Sequence, residues 1–70
     1  MRKLKVTLKA ARVNTQMTQK VAAEAIGVTK ATISNWERSK SFPDAMQIKK
    51  IEHTYHVAFN DIIFLPKINA

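Results

Sequence analysis

Residues 18–38 read TQKVAAEAIGVTKATISNWER (Thr18 to Arg38), and this stretch decides the fold. Thr18 carries a hydroxyl that can accept from the orphan amides of a helix start, and Val21, Ala22, Ala25 and Ile26 recur behind it at helical spacing. Gly27, the single glycine of the chain, follows at once. Lacking a Cβ, it adopts a left-handed backbone at least cost, which ends one helix and lets another begin two residues later. Thr29 caps that second helix, Val28 before it acts as a staple, and Ile33, Trp36 and Glu37 share its inner face. Two short helices joined by a tight glycine turn, the second with a polar outer face, describe a helix-turn-helix whose second helix fits a major groove. A plain helical hairpin is the simpler alternative.

Outward from this unit, the chain reads as helix throughout. Thr7 opens helix 1, with Leu8, Ala11 and Arg12 on one stripe and an end near Asn14. Ser39 to Phe42 is loop, and Pro43 excludes helix just before it. Asp44 with Gln47 forms a capping box that opens helix 4, which holds Ile48, Ile51 and Tyr55 and stops near His56. A short apolar element from Phe59 to Leu65 follows, with Asn60 and Asp61 in its first turn, until Pro66 stops it. The expectation is an all-α fold, a bundle of about five short helices in a single domain over 1–70, with a core at about 7–65 and a flexible basic N-terminus.

Seventy residues bury only about 60% of the surface that the unfolded chain exposes, which leaves no room for a large catalytic scaffold. With no cysteine, stability must come from packing, and a reducing cytoplasm suits the chain. No apolar run approaches the roughly 18 residues that span a bilayer, so neither a membrane-spanning nor a secreted protein is expected. The formal net charge is +7, and the first twenty residues carry Arg2, Lys3, Lys5, Lys9, Arg12 and Lys20 without a single acid. That asymmetry points to a polyanion as partner.

On a wheel of about 100° per residue, Thr29, Trp36 and Glu37 fall within about 60° of Ile33 and so point inward. Ala31, Asn35 and Arg38 point most directly away, flanked by Lys30, Ser34 and Thr32. Such a face has matched chemistry for base edges: Lys30 can donate to guanine, Asn35 can pair with adenine through two hydrogen bonds, and Ala31 or a Thr32 methyl can pack on a thymine methyl. Glu37 on the inner face needs a partner, because a lone buried carboxylate is costly.

The sequence resembles the helix-turn-helix domains of the phage Cro and repressor type, the XRE family. The resemblance runs from about Leu8 to Ile63 and rests on Thr18-Gln19, Ala23, Ile26-Gly27-Val28-Thr29, Ile33-Ser34-Asn35-Trp36-Glu37, Pro43, Ile48, Ile51, Val57 and Ile62-Ile63. It implies base reading by Lys30, Ala31 and Asn35 with Thr32 and Ser34 beside them, and backbone phosphate contacts from Thr18, Gln19 and Thr29. Arg38, Lys40, Ser41, Lys9 and Lys20 are further phosphate candidates, and Gln19 also braces the recognition helix. It further implies a buried salt bridge between Arg12 and Glu37, with Arg12 turned towards the DNA backbone. Four departures stand out. Ala22 is smaller than usual, with Met17 or Phe42 as compensation; Gln16 and Ser39 stand where glycine is common; His56 replaces a helix-ending glycine; Ala58 replaces a capping Ser or Thr, so the last helix frays.

Trp36 reads as core, since stacking single-stranded bases would need further exposed aromatics. His53 and His56 lack the Cys or carboxylate companions of a metal site, and neither cofactor nor small-molecule ligand is expected. No nucleophile has an arranged base, so no enzyme is expected. The function expected is a cytoplasmic, nucleoid-associated, sequence-specific regulator of transcription, bacterial or prophage in origin. It would bind double-stranded DNA as a homodimer on a pseudo-palindromic operator. Phe59, Ile62, Phe64, Leu65 and Ile68 either form the association surface or, for Ile62 and Ile63, close the core. The competing readings are an antitoxin-like protein-interaction module on the same fold, and a basic module for RNA or membrane surfaces.

Overall fold

The computed structural model describes residues 5–64. In chain order it has β1 (Val6–Thr7), α1 (Leu8–Asn14), α2 (Gln19–Ile26), α3 (Lys30–Glu37), α4 (Ala45–Tyr55), a 3₁₀ turn (Phe59–Asp61) and β2 (Ile62–Ile63). Every α-helix starts at a residue whose side chain accepts from a backbone amide three residues on. Thr7 accepts from Ala10, Thr18 from Val21 and Thr29 from Thr32, each at 3.1 Å. Asp44 accepts from the Gln47 amide while Gln47 Oε1 accepts from the Asp44 amide, both at 2.8 Å, completing the capping box.

Two expectations are corrected. The described residues form four α-helices, not five, and the fold is not wholly α: β1 and β2 pair in parallel, Val6 opposite Ile62 and Thr7 opposite Ile63. The element expected to be a helix from Phe59 to Leu65 is one 3₁₀ turn and a strand. Ala58, at its N-cap, makes no side-chain hydrogen bond, and the Phe59 amide donates instead to Glu52 Oε2 on α4 at 2.7 Å, so no local cap supports a longer helix. The β-branched pair Ile62-Ile63 then takes the extended form, where Val6 and Thr7 offer a ladder. Leu65 and Pro66 lie outside the described residues.

The core comprises Leu8, Ala11, Ala22, Ala23, Ile26, Ile33, Trp36, Ile51, Tyr55 and Ile62. Ile26, Ile33 and Ile51 are its largest fully buried side chains, each worth about 2 to 3 kcal/mol of transfer free energy. The α2 stripe is shifted from the one expected: Ala22, Ala23 and Ile26 are buried, while Val21 and Ala25 are exposed. Centred on Ile26, this face meets both α3 and α4, and the two adjacent alanines let both neighbours come close. Of the two side chains expected to compensate for Ala22, Met17 packs against the core. Phe42 does not; it is 51% exposed.

Burial pushes the Tyr55 phenol up to about 12 from its ordinary 10.0, with the Glu37 charge adding to the rise and Arg12 opposing it. No helix among the described residues is long and apolar enough to cross a membrane.

Candidate nucleic-acid interface

Gly27 closes α2 at φ 88°, its amide donating to the Ala23 carbonyl at 2.8 Å, and Val28 N–H reaches the same carbonyl at 2.9 Å. This double closure sets the angle at which α3 leaves. Ile33 and Trp36 then bury the inner side of α3, so the opposite side must face solvent. Lys30, Ala31 and Arg38 are exposed, and Thr32, Ser34 and Asn35 are half-buried. Thr29 is not on the inner side as the wheel places it. As N-cap it has extended backbone, φ −86° and ψ 159°, so helical phase does not apply, and it is exposed. Its oxygen accepts from Thr32 N–H and lies 2.9 Å from the Thr32 hydroxyl.

Behind this face lies a three-residue polar anchor. Arg12 Nε donates to Glu37 Oε2 at 2.6 Å, Arg12 Nη2 to Glu37 Oε1 at 3.1 Å, and Arg12 Nη1 to the Met17 carbonyl at 2.8 Å. The two side chains are only 9% and 5% exposed, so the pair is desolvated and its paired hydrogen bonds are what make burial tolerable. The hydrogen bonds that Arg12 donates to Glu37 hold the guanidinium above its ordinary range, against desolvation, which works to lower it. Three of the five Arg12 donors are thus turned to Glu37 and to the Met17 carbonyl. Gln19 braces α3 through this carboxylate, a partner that the sequence reading did not name: its Nε2 donates to Glu37 Oε1 at 3.1 Å. One carboxylate thereby ties α1, the start of α2 and the end of α3 together. No spacing rule links Gln19 to Glu37, so only the fold reveals this contact.

The loop after α3 is pinned by backbone bonds from Lys40 (2.8 Å) and Ser41 (3.4 Å) to the Asn35 carbonyl. Lys40 and Ser41 are exposed there, as are Thr18, Lys20 and Lys9 on the other helices, and Gln19 is half-buried. At the start of α2, the first intrahelical bond runs from Ala22 N–H to the Thr18 carbonyl. The amides of Gln19 and Lys20 therefore precede the ladder and point along the helix axis, where an anion is favoured. Trp36, 5% exposed, is core. His56 ends α4 at φ 54°, its amide donating to the Glu52 carbonyl.

Beyond α4, Ile62 is buried and closes the core, which removes it from the expected association surface. Phe59 is exposed, and Phe64 packs beside it with ring centroids 5.8 Å apart and edge-on to Phe42 at 6.2 Å. Leu65 and Ile68 lie outside the described residues.

A helix capped by threonine, turned by glycine into a second helix with a solvent-facing polar side, and anchored from behind defines a helix-turn-helix DNA-binding domain. A helix-turn-helix family model matches residues 8–62, and the chain belongs to that family, the XRE-type DNA-binding domains. Neither curated proteins nor solved structures gave a match.

Proposed function

We propose that the protein is a sequence-specific regulator of transcription of the Cro and repressor type, bacterial or prophage in origin, that recognises DNA in the cytoplasm without chemistry. The observation that carries this reading is the outer face of α3, where Lys30, Ala31, Thr32, Ser34 and Asn35 stand solvent-accessible above a helix fixed by Ile33, Trp36 and the Arg12–Glu37–Gln19 anchor. Those five residues read base edges in the major groove. Thr18, Gln19, Thr29, Arg38, Lys40, Ser41, Lys9 and Lys20 hold backbone phosphates around them. Thr29 is the least available, because its hydroxyl both caps α3 and is engaged with the Thr32 hydroxyl.

One such domain covers a half-site, so the reading includes a homodimer on two half-sites with centres about 34 Å apart. The apolar cleft of about 180 Å³ lined by Phe42, Pro43, Ile48, Phe59 and Phe64 supports association on the tail side. Selection from a random duplex library tests the reading. It expects an enriched pseudo-palindrome whose half-sites are one helical turn apart. Binding of all duplexes alike would overturn it and favour the interaction-module alternative.

A further inference from the structure

We infer that Arg38 decides which base Asn35 reads, restricting it to a hydrogen-bond-accepting edge, so that the operator carries guanine and not adenine at that position. The inference rests on the proposed reading that α3 enters the major groove.

An unconstrained asparagine is suited to adenine, because its amide oxygen accepts from N6–H while its amide nitrogen donates to N7. Asn35 is not unconstrained. Arg38 Nη2 donates to Asn35 Oδ1 at 3.3 Å, one helical turn along the same face. A guanidinium has five donors and no acceptor, so the contact fixes the amide orientation: oxygen towards Arg38, nitrogen away from it. One of the two lone pairs of the oxygen that adenine would need is taken, and a positive charge stands beside the other that disfavours the amino group of adenine or cytosine. The Nδ2 group, turned away from Arg38, is left to present its two N–H donors to the base. Guanine, with O6 and N7 side by side, is the base pair edge that accepts from such a set.

The rest of the face points the same way. Lys30 is a donor, Ala31 is apolar, and the Thr29 and Thr32 hydroxyls are engaged with each other. The only carboxylate of α3, Glu37, accepts from Arg12 and Gln19 behind the helix. Apart from hydroxyls, the face therefore offers amino groups nothing to donate to. Arg38 is a positioning residue in this scheme, acting on the base through Asn35.

The test uses the full chain and its selected operator. The position that Asn35 reads is the base pair whose preference disappears in Asn35→Ala. Affinities of wild type and Arg38→Ala are then measured on four duplexes that differ only there. Arg38 is exposed at the end of α3, so the variant keeps the fold, which circular dichroism checks. Wild type is expected to prefer guanine over adenine by about tenfold or more, and Arg38→Ala to lose or reverse that preference at this one base pair. If Arg38→Ala weakens all four duplexes by the same factor and lowers the salt slope by about one, Arg38 is a phosphate contact only and the inference fails while the regulator reading stands. Adenine preferred by wild type also overturns it. A library that yields no enriched duplex removes the regulator reading and the inference together.

Discussion

The α2–α3 unit and the segment after α4 solve the same problem, how to end one element and start the next, in opposite ways. Thr18 and Thr29 each satisfy an orphan amide at their helix starts, and Gly27 takes the left-handed backbone between them without a Cβ. After α4 the left-handed residue is His56, which carries a full side chain, and the next start is Ala58, which caps nothing. The first unit consequently holds two eight-residue helices, the second a three-residue turn and a two-residue strand. The shape of α3 is coded within a few residues of itself. That of the tail is imposed by a strand from the far end of the chain and by contacts among Phe42, Phe59 and Phe64.

The largest expected effect breaks the first region from behind. Arg12→Met should destabilise by about 3 kcal/mol in urea unfolding, because it strands the Glu37 carboxylate in the core. Arg12→Met with Glu37→Leu should recover much of that loss, since no buried charge is left. A double variant no more stable than the single one would mean that the ion pair is not what joins the three helices.

Tyr55 gives a smaller effect with a defined pH window. Its folded value, about 12, lies above its ordinary 10.0, so the folded state favours the protonated phenol. The associated stability is fully present below pH 10 and is lost as pH rises through 12, amounting to about 2 kcal/mol. Tyr55→Phe should flatten the stability profile over that range, as followed by denaturant midpoints. An unchanged slope would show that the phenol titrates alike in both states.

Capping variants sharpen the comparison at the lowest amplitude. Thr18→Ala and Thr29→Ala should each cost about 1 kcal/mol. His56→Gly should stabilise by about 0.5 to 1 kcal/mol by relieving a left-handed Cβ, and Ala58→Ser should stabilise by a similar amount by supplying the missing acceptor. If all four variants shift stability in the same direction, the two regions do not differ as described.

What could be read in the sequence follows from the same contrast. Thr7, Thr18, Thr29 and the Asp44–Gln47 box act over three residues, so their helix starts were legible, and Gly27 marked the turn. Glu37 on the inner phase of α3 demanded a partner, and the family resemblance named Arg12 as that partner. The phase of α2 was not, because Val21 and Ala25 offer an apolar stripe nearly equal to that of Ala22 and Ala23, and only the joint approach of α3 and α4 selects between them. The β1–β2 pair was invisible for a different reason. Two residues have no periodicity, and the partners sit at opposite ends of the sequence. The resemblance named Gln19 as a brace but not Glu37 as its partner, and the i,i+3 spacing of Asn35 and Arg38 allows their contact without specifying it.

Measuring the affinities of wild type, Asn35→Ala and Lys40→Ala for the selected operator and for unrelated duplex, across a salt series, tests most directly whether α3 reads bases while the surrounding residues position the backbone. Asn35→Ala is expected to cost about 1 to 3 kcal/mol on the operator and almost nothing on unrelated DNA. Lys40→Ala should weaken both alike and lower the slope of log affinity against log salt by about one. Equal weakening of operator and unrelated duplex by Asn35→Ala would contradict base reading by α3.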